Sequence, residues 1–262
     1  MGVKRALADF VEQVTGVRIV RLPHGARIIL ADNIPLLLEE EHLRRFFDYF
    51  KVDCVFDVGA NAGQYATMVR SCAGYNGPII SFEPNPQIAV TLREKAQRDG
   101  RWFVEELALG DSPGQATFNI MAKDEMSSLH EPQAIKTRLF ETSAPILRKI
   151  DVKVSTLEIE FSKWRQQLGF SRPFLKMDTQ GHDVQVARGA GDKLTEFVGL
   201  QSELAIRQFY ACSPNYIEAI QFYEDRGFAL SAFVPNNAGT WTWSFPYLIE
   251  MDCIMFRTDK LA

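Results

Sequence analysis

The chain has 262 residues, 46% of them hydrophobic and 24% charged, enough for one large α/β domain with a short extension. A formal net charge of −4 argues against a surface built to neutralise nucleic-acid phosphates. No stretch approaches the ~20 apolar residues of a membrane span, and Lys4 and Arg5 lead into Asp9 rather than an apolar signal core. Cys54, Cys72, Cys212 and Cys253 form neither a CxxC pair nor a zinc spacing, so a reduced, cytoplasmic protein is the expectation.

Residues 1–50 differ in pattern from the rest and read as an extension on a main domain of residues 51–262. Leu7, Phe10, Val11 and Val14 share one face of a helix over Ala6–Thr15. Apolar and polar residues alternate in Val17–Leu22 and Arg27–Leu30, on either side of Pro23-His24-Gly25, which predicts a hairpin. Leu36–Phe50 predicts a helix that packs on the main domain, where it could cover the active site or form a homodimer contact.

From Val52 onward, apolar runs alternate with helical patterns. Strands are predicted at Cys54–Val58, Pro78–Phe82 and Trp102–Ala108, and helices at Gln64–Ser71 and Pro86–Arg98. Asn85 opens the second of these helices, with Pro86 at its first position. The middle holds a strand Gln115–Met121, a polar stretch Asp124–Pro145 with a weak helical pattern over Ala134–Phe140, a strand Asp151–Val154 and a helix Ile159–Leu168. A buried strand Phe174–Met177, a helix Asp183–Gly189 and a strand Gly199–Leu204 follow. A helix Tyr216–Arg226, closed by Gly227, and strands Phe228–Val234 and Glu250–Arg257 complete the chain. The alternation predicts an α/β fold with a mostly parallel sheet and helices on both faces.

The informative segment is Asp57-Val58-Gly59-Ala60-Asn61-Ala62-Gly63, where a buried strand runs into a turn of small residues that lets a ligand approach the backbone. It departs from the dinucleotide fingerprint, because Asn61 replaces the second glycine and Gln64 the third. Asp57 puts a negative charge just before the turn, which repels a pyrophosphate and suits the cationic amino-acid moiety of S-adenosylmethionine. Glu83 ends the next strand, where a carboxylate can accept hydrogen bonds from both ribose hydroxyls. The expected cofactor positions are therefore Asp57, Gly59, Ala60, Asn61, Gly63, Glu83 and Pro84, with Ala108 and Leu109 along the adenine.

Taken in order, Asp57–Gly63, Ser81-Phe82-Glu83-Pro84-Asn85, Ala108-Leu109-Gly110-Asp111, Ser127-Ser128-Leu129 and Leu175-Lys176-Met177-Asp178-Thr179-Gln180-Gly181 resemble the FkbM-type methyltransferase family. The resemblance spans Val52 to Arg257 and implies a seven-stranded Rossmann-like methyltransferase fold and O-methylation of sugars, polyketides or related metabolites. It also implies that Ser127 and Ser128 face the cofactor or acceptor. After Gly181 this chain has His182-Asp183, where many members carry Ala or an aromatic residue before the acid.

Methyl transfer to a hydroxyl needs an oriented acceptor and a group that takes its proton. Open α/β sheets place ligands at the C-terminal ends of strands. Asp178 ends a strand there and could position the acceptor, bind the cofactor or bind a cation. Lys176, two residues back, reads as the structural ion-pair partner of Asp178 or as a group that orients its carboxylate. His182 starts a helix, which favours a neutral imidazole able to accept a proton, and Glu203 ends a further strand, where it could join Asp178 as a base or metal ligand. The expected catalytic set is Asp178, His182 and Glu203. His130 reads as a loop histidine, and the alternation Trp241, Trp243, Phe245, Tyr247 as one face of a packed strand.

These readings predict an S-adenosylmethionine-dependent O-methyltransferase with a small-molecule acceptor, no nucleic-acid partner and no membrane span; the resemblance alone implies that the acceptor hydroxyl belongs to a sugar or secondary metabolite. No metal ligand is assigned; a divalent metal could take part but is not expected. The alternatives are an NAD-dependent oxidoreductase, disfavoured by the glycine pattern and the lack of a Tyr-x-x-x-Lys pair, and a non-catalytic nucleoside-binding module on the same fold.

Overall fold

Cys54–Val58 (β3) is buried along its whole length, and its side chains alternate between two cores. Phe56 and Val58 face one core and Val55 the other, as a strand in the middle of a two-layered α/β sheet requires. The computed structural model describes residues 14–15, 17–22, 25–30, 34–122, 126–131, 145–208, 210, 213–235, 248 and 250–261. Of the predicted first helix only Val14 and Thr15 fall among them, and both are helical; the pattern over Ala134–Phe140 and the Trp241–Tyr247 alternation lie outside the described residues.

The hairpin forms as predicted, from Val17–Leu22 (β1) and Gly25–Leu30 (β2), paired antiparallel. Ile34–Phe50 (α1) follows, then β3 and Gln64–Ser71 (α2), Ile79–Phe82 (β4) and Pro86–Asp99 (α3), then Trp102–Glu105 (β5). Asn85 caps α3 by accepting the Gln87 N–H, and Gly100 ends it in the left-handed region. Ala108–Gly110 (β6), Gly114–Met121 (β7) and Ile146–Thr156 (β8) form a separate sheet in the order β6-β8-β7. Leu157–Leu168 (α4), Pro173–Met177 (β9), Asp183–Arg188 (α5), Gly199–Ala205 (β10), Tyr216–Glu224 (α6), Phe228–Pro235 (β11) and Glu250–Arg257 (β12) complete the domain.

The main sheet has seven strands in the order β11-β12-β10-β9-β3-β4-β5. Strands β10, β9, β3, β4 and β5 are parallel, and β12 runs antiparallel to both its neighbours. Phe161 and Trp164 of α4, Val184 and Val186 of α5, and Tyr223 of α6 cover the Phe56 face. Phe46, Phe47 and Phe50 of α1, Val69 of α2 and Leu92 of α3 cover the Val55 face. Burying each such phenylalanine contributes roughly 1.5–3 kcal/mol. Among the described residues no helix is long and apolar enough to cross a membrane.

The structure corrects one strand. Trp102–Ala108 reads as continuous, but β5 stops at Glu105 and Ala108–Gly110 joins β8 in the second sheet. Glu105 and Glu106 mark the break: their carboxylates leave the sheet to pair with Lys163 and Arg93. The expected strand Asp151–Val154 is likewise the inner part of the longer β8, whose first residues are exposed.

Candidate functional site

The turn after β3 fits against the end of β9. Gly59, Asn61 and Gly63 all have positive φ, at 73°, 45° and 81°. A Cβ on Gly59 would lie 1.9 Å from the Asp178 carbonyl oxygen, so only glycine lets these backbones meet. One on Gly63 would strike Trp102 and Leu92, at 2.6 and 2.7 Å.

Glu83 holds this turn from the end of β4. One carboxylate oxygen accepts the Asn61 N–H at 2.8 Å and the other the Asn85 N–H at 2.7 Å. Each oxygen keeps a lone pair for a ligand hydroxyl. Burial pushes the Glu83 carboxyl up to about 7, against the pull of those two N–H groups.

Asp57 lies beneath the site rather than in its wall. Its Oδ2 accepts from Ser81 Oγ at 2.9 Å, and Oδ1 sits 3.3 Å from Lys176 Nζ. Lys176 lies closer to Asp57 than to Asp178, the partner expected for it. Its ammonium pairs with Asp57, lies 3.8 Å from Asp178 Oδ2 and donates to the Gly59 carbonyl at 3.2 Å. Burial opposes this charge, but Asp57 and Asp178 outweigh it and hold the pKa above the usual lysine range.

A cavity of about 420 Å³ opens over the C-terminal ends of β3, β4, β9 and β10, a size suited to a small ligand. Gly59, Ala60, Asn61, Glu83, Pro84, Ala108, Leu109, Asp178, His182 and Glu203 line it; Asp57, Gly63 and Ser128 do not. Ser127 is in the wall, whereas the Ser128 hydroxyl donates to the Gln180 carbonyl and accepts the His130 N–H.

Gln180, with φ at 54°, joins two of the expected catalytic acids. Its Nε2 donates to Asp178 Oδ1 at 3.2 Å and to Glu203 Oε2 at 3.0 Å, and the Tyr210 hydroxyl lies 2.9 Å from its Oε1. Burial, then Glu250 and Asp178, push the Glu203 carboxyl well above the usual range. Asp183 ties β9 to β10 from below, accepting from Thr179, from Ser202 Oγ and from the Glu203 N–H.

His182 precedes α5, and its Nδ1 is 2.9 Å from Nε2 of His130. Burial first, and His130 second, lower its pKa to about 4, so the ring is neutral at neutral pH. The shared hydrogen bond links the tautomers: where His130 accepts, His182 carries its proton on Nδ1 and Nε2 has a free lone pair. Sequence pattern does not single out His130, which reads as a loop histidine, nor Gln180 and Tyr210. Glu39, Tyr65, Gln201, Glu250 and Asp252 also line the cavity without standing out as site residues in the sequence. The signal for the last pair was the alternation of Glu250 and Asp252 with Met251 and Cys253 in a buried strand. Among the described residues no group of three or more His, Cys, Asp or Glu side chains is arranged to hold a metal ion.

The family profile described as Methyltransferase FkbM domain matches residues 57–235, most of the chain. No curated protein sequence matches it. Solved structures similar to it include magnesium protoporphyrin IX methyltransferase from Synechocystis PCC 6803 with bound S-adenosylmethionine, at 8% identity and TM-score 0.44, over 98% of each chain. Fibrillarin from Aeropyrum pernix, with natively bound S-adenosyl-L-methionine, is similar at 12% identity and TM-score 0.42, over 92% of this chain and 83% of that one. A fibrillarin pre-rRNA processing protein of Methanococcus jannaschii is similar at 10% identity and TM-score 0.46, over 93% and 84%.

Proposed function

The chain belongs to the family of FkbM methyltransferase domains, and from that premise we propose that this S-adenosylmethionine-dependent methyltransferase methylates a hydroxyl of a small molecule, a sugar or a secondary metabolite. The observation that carries the cofactor assignment is Glu83, which braces the turn through Asn61 and keeps one acceptor position free on each oxygen. The residues present fit the cofactor. Gly59 admits a ligand close to the backbone, Glu83 suits two vicinal hydroxyls, and Ala108 and Leu109 offer an apolar wall to an adenine. When bound, S-adenosylmethionine supplies a methyl group already activated by its sulfonium.

The chain's own residues then orient the acceptor and take its proton. Neutral His182 accepts the hydroxyl proton in the tautomer in which His130 accepts from its Nδ1. Gln180 fixes the spacing of Asp178 and Glu203. Glu203, held by Gln180, faces the cavity as one anchor for the acceptor, and the half-exposed Asp178 as the second. Leu36 and Glu39 of α1 also line the cavity, and Glu39 accepts from Gln201 of β10.

The test is a calorimetric titration with S-adenosylmethionine, S-adenosylhomocysteine and NAD, each with magnesium and with a chelator. Binding of the first two in the micromolar range, without NAD and without a chelator effect, is expected. Glu83→Gln keeps one backbone acceptor but weakens both adenosyl ligands at least tenfold, about 1.4 kcal/mol. Binding of NAD alone would make an oxidoreductase the better reading.

A further inference from the structure

The α1-covered face of the main sheet turns from apolar to polar along its strands. On β9, Phe174 packs under Phe46 and Phe47, and two residues on comes Lys176. On antiparallel β12, Ile254 is in the same core, and Asp252 and Glu250 follow toward the cavity. Strand alternation places Gln201 and Glu203 of β10 on that face too, and Glu39 reaches it from α1.

The result is an acidic wall. Glu39, Asp178, Glu203, Glu250 and Asp252 all line the cavity. Among the described lining residues Lys176 is the one lysine or arginine, and Asp57, Asp178 and the Gly59 carbonyl engage it.

Two buried oxygens in the same wall point to a ligand independently. Gln201 is 1% exposed, and its Nε2 donates to Glu39 Oε1 and to Asp252 Oδ2, each at 2.7 Å. Both amide hydrogens are thereby used, and Oε1 has no hydrogen-bond partner. The Tyr65 hydroxyl, on a side chain 8% exposed, also has none, although Glu39, Asp57 and Asp252 are close enough to raise its pKa. A buried polar atom without a partner destabilises the fold, so a ligand donor is favoured there.

We propose that this wall is a subsite for a cationic amine carried by the acceptor. An ammonium brings a positive charge and three N–H donors, which match the carboxylates and the free oxygens of Gln201 and Tyr65. A neutral polyol supplies donors without the charge, and an anionic acceptor is repelled. The ammonium of S-adenosylmethionine is a poorer occupant, because it carries its own carboxylate beside it. With the ribose on Glu83 of β4, the acids of β12 lie four strands away, about 19 Å at the usual spacing of neighbouring strands. Without a cation the acids are strained: burial and Asp178 push Glu250 up to about 7, and burial and Glu39 raise Asp252.

This inference rests on the methyltransferase reading, and the experiment separates the two. Protein loaded with S-adenosylhomocysteine is titrated with glucosamine and N-acetylglucosamine, and with ethanolamine and N-acetylethanolamine, all of which keep their hydroxyls. The amine of each pair is expected to bind at least tenfold more tightly, and Glu250→Gln combined with Asp252→Asn to abolish the preference in a variant that still unfolds cooperatively. Equal affinity within both pairs, or no binding of any probe, overturns the proposal. So does a parallel loss of S-adenosylhomocysteine affinity in the variant, which would give the acids to the cofactor. Failure of the wild-type protein to load S-adenosylhomocysteine would instead overturn the methyltransferase reading beneath it.

Discussion

At the scale of single residues, the buried imidazole of His182 carries the sharpest prediction. Its neutrality follows from burial beside His130, and its usable lone pair from the direction of one hydrogen bond. His182→Ala is expected to bind S-adenosylmethionine with little change and to turn over about a hundredfold more slowly, the size of a lost general base. Single-turnover transfer under saturating cofactor measures it, and wild-type rates would hand the proton to Asp178. The sequence draws attention to His182, because it starts a helix after a strand end. It could not identify His130, which lies 52 positions away in the chain and meets His182 only through the fold.

At the scale of elements, the site is a meeting of chain reversals. The turn after β3 and the exit of β9 touch at Gly59, where a side chain has the wrong φ and no room. Gly59→Ala should lower stability by ~1–3 kcal/mol or more, the range for a residue forced into a sparse backbone region, and weaken cofactor binding. A urea midpoint unchanged from wild type would show that the two backbones can part without loss. The main strands were legible because buried parallel strands read as short apolar runs, and β3, α2 and β12 have their expected limits. The split between β5 and β6 was not, since Leu107, Ala108 and Leu109 continue the apolar pattern while the backbone changes sheets. Likewise, Asp57, Gly59 and Glu83 stood out in sequence, whereas the Glu39–Gln201–Asp252 contact joins three elements up to 213 positions apart, and no local pattern reports it.

At the scale of the whole molecule, the buried titrating groups set how stability varies with pH. Glu83 and Glu250 are held near 7, above the ordinary 4.5, so the folded chain binds more protons than the unfolded one between those values. Their contribution is present at low pH and is lost as pH rises toward 7. His182, lowered from 6.5 to about 4, acts in the opposite sense, and its contribution is lost as pH falls below 6.5. Above 6.5 the acids act without that opposition. The melting temperature of the ligand-free protein should therefore fall between about pH 6.5 and 7.5, and less steeply in Glu250→Gln. A rise over that interval would contradict the burial of these carboxyls. The row Ser81, Asp57, Lys176 and Gln201, one residue from each of four neighbouring strands in register, has a consequence for folding. If β9 paired one residue out of step, Lys176 would enter the phenylalanine-rich layer and Leu175 or Met177 would face Asp57. That arrangement leaves two unmatched charges in a dry interior, at several kcal/mol, so a misaligned sheet is strongly disfavoured. The polar row thus acts as a proofreading key for assembly as well as the floor of the site.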